Sequence, residues 1–368
     1  MDKVLILVID GCAPDYLSEA AAPQIHRLAR RYGFFKRVQC ALPSVTNVNH
    51  ACILSGEWPE RTRIVGNYLY NPATGEEGFL EERGYMQAPT ILQRYRQAGG
   101  RTALLTVKGK VLGVYGEGAD IGFTLQDPDL ELVRRYHLSP PPTIQSVESS
   151  GWIVEAACRC IEIDHPELVY CTTNDGVFHH HAPGEPEATE QIAAIDRWIA
   201  RIHEIDPERQ IYITADHGMN RKTTILDLQR MADRAGLSIF CLKPLKDRYI
   251  ENHLYQEGGM VYVYLKKPEE RAAFLDFVRQ LPQVEAVQTA AEAAASYHLP
   301  AGQIGDYVLY AAPDCAFGEL ESGEILHTDA SRTHGSRYER EIPLAAIHPA
   351  AGPECYQYHL DIVRNLVL

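Results

Sequence analysis

KVLILVIDG, residues 3–11, is the stretch on which the fold turns. Val4 to Ile9 are apolar and rich in β-branched residues, the pattern of a strand buried on both faces of a parallel sheet. The run ends in Asp10-Gly11. The same design returns in ELVYCTTND (167–175) and QIYITADHG (210–218), each an apolar run passing into polar residues. Helical stretches separate them, among them ATEQIAAIDRWIARIHEI (188–205). Strands alternating with amphipathic helices predict an α/β fold: a doubly wound, mostly parallel sheet with helices on both faces. In such sheets functional groups gather beyond the carboxyl ends of the strands. Asp10, Asp175 and Asp216 are therefore expected on one rim.

Between about 220 and 325 the texture changes. MVYVYL, an amphipathic stretch from Pro268 to Leu281, QVEAVQT and DYVLYAAP suggest a small α+β unit inserted before the chain returns to SRTHGS. The expected organisation is a core of residues 1–219 and 326–368 with an inserted cap of residues 220–325. A chain of 368 residues is long enough for a large α/β domain of this kind. Hydrophobic residues at 45% and charged residues at 23% are ordinary globular values.

The formal net charge of −14 argues against nucleic acid or an anionic membrane as partner, since both ask for a basic face. A small anionic substrate would need local positive charge from metal ions or a few lysines. The apolar start is too short for a membrane span and has no cleavage-site pattern, so a cytoplasmic protein is expected. The nine cysteines are scattered and read as buried thiols rather than a disulfide framework. Oligomeric state is not legible, and a homodimer is compatible with the sequence.

NDGVFHHHAPG places Asp175 and His179 four residues apart, with His180 and His181 following. TADHG adds Asp216 and His217, and THGS adds His334. With Asp10 these make six carboxylate and imidazole groups of the kind that zinc and similar divalent ions accept. Six are too many for one tetrahedral ion and suit two. A natural division gives one ion Asp175, His179 and His334, and the other Asp10, Asp216 and His217, each with a position left for substrate or nucleophile. Two close ions clamp the attacking and leaving atoms of an in-line displacement at phosphorus.

ALPSVTNVNHACILSG (41–56) crowds Ser44, Thr46, Asn47 and Asn49 before an apolar run. The plain reading is a capped helix start. Beside a divalent ion, however, a hydroxyl at a helix start loses its proton more readily, and the first-turn amides attract a phosphoryl group. Thr46 is the candidate nucleophile and second-ion ligand, with Ser44 behind it. Asn67 in IVGNYLY is either a turn residue beside Gly66 or a donor to a phosphoryl oxygen.

Taken in order, VLILVIDG, PSVTNVNH, GNYLY, the Asp175 to His179 spacing, TADHGM and THGS resemble the metal-binding segments of the alkaline phosphatase superfamily, in its type I phosphodiesterase and nucleotide pyrophosphatase branch. Within that branch, TNVN, GNYLY, LLTVKGKVLGVYGEGAD, DGVFHHHAPG and THGS are most similar to the phosphonoacetate hydrolase pattern. The resemblance implies an alkaline phosphatase-like core, two zinc ions and a threonine alkoxide attacking phosphorus. It implies substrate contacts from Lys108, Lys110, Asn67 and His179, the two lysines taking the substrate carboxylate. Manganese or iron suits the same ligands.

Apart from the family, Lys108 and Lys110 directly follow the strand-like TALLTV, which puts them near the rim. Most such triplets are solvated turns, yet an acidic protein holding a phosphonate and a carboxylate needs ammonium groups there. The expected function is zinc-dependent cleavage of the carbon–phosphorus bond of phosphonoacetate. A phosphodiesterase or nucleotide pyrophosphatase using the same site is the alternative enzyme, and a phosphonate- or metal-binding sensor the alternative without catalysis. The run of three histidines and His50 after the nucleophile turn depart from the family pattern.

Overall fold

The computed structural model describes residues 1–247 and 258–367. At its centre lies a seven-stranded sheet in the order Gly33–Gln39, Glu341–Ile347, Gln210–Thr214, Val4–Val8, Leu168–Thr172, Thr102–Thr106, Ile121–Thr124. The five strands from Gln210–Thr214 to Ile121–Thr124 are mutually parallel, and Glu341–Ile347 runs antiparallel to both of its neighbours. Val4–Val8 is central and wholly buried, as its uninterrupted apolar sequence requires.

The polar residues that end four neighbouring strands thereby become neighbours in space. Across the sheet, Asp216 follows Gln210–Thr214, Asp10 follows Val4–Val8, Asp175 follows Leu168–Thr172, and Lys108 follows Thr102–Thr106. Helices Glu148–Asp164 and Pro186–Ile205 pack on one another beside the sheet. Helix Thr46–Ser55 differs from these surface helices, because all ten of its residues are buried. It carries no apolar stripe, since it has no face toward water.

Among the described residues of 220–325, the stretch expected to form an insertion, no strand pairs with the central sheet. Ile239–Leu242, Met260–Leu265, Tyr307–Ala311 and Val284–Thr289 form an antiparallel sheet with helices Arg271–Val278 and Ala290–Tyr297. Their apolar residues form hydrophobic clusters apart from the main core. Asn220–Leu226 and Ile325–Thr333 pair antiparallel where the chain enters and leaves this region. The second of them delivers the chain to His334. Of the expected 220–325 cap, residues 248–257 lie outside the described residues. The nine cysteines are free thiols, eight of them buried, and no described helix is long and apolar enough to cross a membrane.

Candidate metal and catalytic centre

Asp10, Asp175, Asp216, His179, His217 and His334 are all buried, and they meet at the carboxyl ends of the central strands. Asp175 Oδ2 lies 3.2 Å from His179 Nε2 and 3.8 Å from His334 Nε2. His217 Nε2 lies 3.5 Å from Asp10 Oδ1 and 3.3 Å from Asp216 Oδ2. Asp175, His179 and His334 converge as one possible ligand group, and Asp10, Asp175 and His217 as another. Asp175 thus stands between the two groups, with Asp216 beside His217.

The imidazoles are oriented for this by the backbone. His179 Nδ1 donates to Arg332 O at 2.8 Å, His217 Nδ1 to Gly218 O at 2.9 Å, and His334 Nδ1 to Ser44 O at 2.7 Å. With Nδ1 committed to a carbonyl, each Nε2 is turned toward the carboxylates, and in the neutral ring it carries the lone pair that a metal ligand requires. Asp10 Oδ1 and Asp216 Oδ2 are buried and accept no hydrogen bond from any described donor. Unmatched buried carboxylate oxygens facing imidazole nitrogens fit divalent cations such as zinc, manganese or iron.

The charges carry the same message. Burial, then the carboxylates of Asp175 and Asp216, pushes the Asp10 carboxyl up to about 8. Burial and Asp175 push Asp216 up to about 6. Burial also opposes ionisation of Asp175, but Lys108, His179 and His334 hold it well below the usual range. Lys108 Nζ lies 2.9 Å from Asp10 Oδ2 and 2.6 Å from Asp175 Oδ1, so its ammonium belongs to the cluster itself. Lys110, two residues on, is paired with Asp247 from the insertion.

Thr46 opens the buried helix at its first turn, and its Oγ1 lies 3.5 Å from His217 Nε2. Val45, not a hydroxyl residue, occupies the cap position, and no side chain caps the helix. The polar residues around Thr46 instead pin the turn to distant segments. Ser44 Oγ donates to Ser336 O at 2.7 Å, while Ser44 O accepts from both His334 Nδ1 and Gly335 N. Ser44 is thus a tether between the turn and the His334 loop, which accounts for its presence without a role as second nucleophile. Asn49 Oδ1 accepts from Ala41 N and His359 Nε2. Asn67 Oδ1 accepts from Asn47 N at 2.9 Å, and one Nδ2 hydrogen goes to Leu245 O at 3.1 Å. A primary amide has a second N–H, which is the donor available for a phosphoryl oxygen.

His50 is fully buried, with Nδ1 2.5 Å from the Tyr170 hydroxyl. Burial, then Lys108 and Lys110, holds its imidazole neutral. His180 is exposed, and His181 lies 3.3 Å from Glu187 and 3.5 Å from Glu185. Of the three adjacent histidines, His179 alone joins the cluster.

Glu339 was not singled out from the sequence. Its buried carboxylate accepts from Lys222 Nζ (2.8 Å), Asn220 Nδ2 (2.9 Å), Ser336 N (2.9 Å) and Ser336 Oγ (2.5 Å), and its carbonyl accepts from Gly218 N (2.8 Å). It therefore fixes the residues after His217 and after His334 together. The S-x-x-E spacing of Ser336 and Glu339 is a capping-box signal that the sequence did carry.

Residues 4–337 match the family described as type I phosphodiesterase / nucleotide pyrophosphatase. Phosphonoacetate hydrolase from Sinorhizobium meliloti 1021, solved with phosphonoacetate, is 26% identical and superposes with a TM-score of 0.88, covering 98% of this chain and 94% of that one. A human ectonucleotide pyrophosphatase / phosphodiesterase, family member 5, is 16% identical with a TM-score of 0.71 over 99% and 93% of the two chains, a likeness of fold. An uncharacterized pyrophosphatase/phosphodiesterase of Schizosaccharomyces pombe is 26% identical over 59% of this chain, and the match spans 44% of that relative's length.

Two outcomes follow from this geometry. In metal-stripped protein the folded state keeps a proton on Asp10 that the unfolded state loses above the ordinary aspartate range. Stability therefore falls as pH rises toward about 8. Between pH 6.5 and 8, thermal melts should show a loss of about 1 kcal/mol per pH unit that added zinc or Asp10→Asn flattens; an unchanged slope in both would contradict the charge assignment. Glu339→Ala should cost about 3–5 kcal/mol by leaving Lys222 buried without its carboxylate. The double change Lys222→Met with Glu339→Met should recover the part of that loss due to the unpaired lysine, and not the part due to Ser336 and Asn220, in denaturant melts.

Proposed function

We propose that this chain, which belongs to the type I phosphodiesterase / nucleotide pyrophosphatase family, is a zinc-dependent hydrolase that splits phosphonoacetate into acetate and phosphate with Thr46 as nucleophile. The observation that carries the reading is the placement of two lysines at the end of the strand beside the carboxylate–imidazole cluster, with a threonine hydroxyl at a helix start facing it. Likeness to a phosphonoacetate hydrolase over nearly the whole of both chains supports it.

Asp175, His179 and His334 would hold one ion and Asp10, Asp216 and His217 the other, with Thr46 beside the second. Bound there, zinc supplies positive charge that favours loss of the Thr46 proton and offsets charge on the phosphoryl oxygens. Thr46 Oγ1 attacks phosphorus in line with the carbon that leaves. The second N–H of Asn67 donates to a phosphoryl oxygen as negative charge grows there. Lys108 and Lys110 bind the substrate carboxylate as compact point charges. As the bond to phosphorus breaks, its electron pair passes toward that carboxylate as an enediolate, and the ammonium groups offset the charge. The carbon then takes up a proton to give acetate, and water releases phosphate from the threonine.

The family match favours a second reading, in which the same centre cleaves a phosphodiester or nucleotide pyrophosphate. The two are separated by assaying zinc-reconstituted protein on phosphonoacetate, p-nitrophenyl phosphate and a p-nitrophenyl diester. Phosphate from phosphonoacetate, with slow turnover of the others, is the expected result. Turnover of the diester alone selects the second reading, and tight zinc binding with no turnover selects a sensor.

Thr46→Ala should lower kcat by at least about 10^3-fold while two metals per chain remain, as metal analysis would show. Near-normal rates would remove Thr46 from the reaction. Lys110→Ala should lower kcat/KM for phosphonoacetate by about 10–100-fold and leave p-nitrophenyl phosphate within about threefold. An equal loss on both would undo the carboxylate assignment.

A further inference from the structure

The ammonium of Lys110 is paired with Asp247, and both side chains are buried. Asp247 closes the stretch Lys243–Asp247 that follows strand Ile239–Leu242 of the insertion. The same stretch grips Asn67, whose backbone N–H donates to Pro244 O at 2.7 Å and whose Nδ2 donates to Leu245 O. Leu245 also lies against Gly335, next to His334, so closely that a Cβ there would stand 3.3 Å from Leu245 Cδ1. One short piece of chain therefore borders the phosphoryl donor, a lysine assigned to the substrate carboxylate, and a ligand-bearing loop.

Lys108, two residues before Lys110, is held by Asp10 and Asp175. Of the carboxylates near these two lysines, Asp10 and Asp175 belong to the ligand cluster, whereas Asp247 comes from the insertion.

We infer that Asp247 is a specificity-determining residue, whose fixed carboxylate beside Lys110 discriminates against a second negative charge at the far end of a substrate. This rests on the reading of Lys108 and Lys110 given above. A second carboxylate meets Asp247 at short range in a buried place where like charges are poorly screened. A neutral end neither gains nor loses by its presence.

The test is a ladder of ligands that differ at that end: methylphosphonate without a carboxylate, phosphonoacetate with one and phosphonosuccinate with two. Binding is measured calorimetrically on zinc-loaded protein in a Thr46→Ala background, so that nothing turns over. Asp247→Asn should raise the affinity ratio of phosphonosuccinate to methylphosphonate by at least about tenfold, about 1.4 kcal/mol, with phosphonoacetate in between. Asp247→Ser should give the same ladder if the Asn variant does not fold, and Asp247→Glu should restore the original one.

A flat ladder overturns the inference. So does a loss of both carboxylated ligands, which would mean that Asp247 only aims Lys110. If the protein with native Thr46 binds phosphonoacetate but releases no phosphate from it, the proposed reaction falls and the ladder still stands. Turnover with a flat ladder does the reverse.

Discussion

Three carboxylates from neighbouring parallel strands share one buried rim, and the rest of the site is organised around that cost. Asp10, Asp175 and Asp216 cannot all ionise in a dry interior without positive charge beside them. Lys108 provides some of it, bonded to two of the three. Unmatched oxygens on Asp10 and Asp216, and three imidazoles turned Nε2-inward by backbone carbonyls, prepare the place for more. A neighbourhood so unfavourable in itself is one that a divalent cation would relieve, and the Thr46 hydroxyl stands at its edge.

The sheet topology explains why the cluster forms where it does. Four adjacent parallel strands end at the same level, so residues separated by hundreds of positions arrive side by side. Antiparallel Glu341–Ile347 adds no residue to the carboxylate–imidazole cluster, but the turn before it carries Glu339, which binds the segments after His217 and His334. The insertion contributes from the other side, through Pro244, Leu245 and Asp247 against Asn67 and Lys110.

How much of this was legible in the sequence depended on whether local pattern or distant pairing determined the outcome. The apolar runs ending in Asp10, Asp175 and Asp216 announced buried parallel strands and a common rim, and both are present. Asp175 and His179 at helical spacing distinguished one histidine from its two neighbours. Ser44 looked like a cap or a nucleophile because both are local roles. Its actual partners, Ser336 and His334, are some 290 residues away. Asp247 had no signal at all, because an isolated acid acquires meaning only from the lysine the fold sets against it. The lysines themselves were expected to face substrate, and nothing in K-G-K foretold that protein carboxylates would engage both.

The Ser44 tether also bears on biosynthesis. Thr46 stands beside Ser44, whose carbonyl and hydroxyl are satisfied by the loop at 334–336, some 290 residues later in the chain. A nascent or truncated polypeptide that stops before Ser331 can lay down most of the central sheet and still lack the partner that holds this turn in shape. The turn that carries Thr46 therefore takes its final shape only after residues 334–336 have been made.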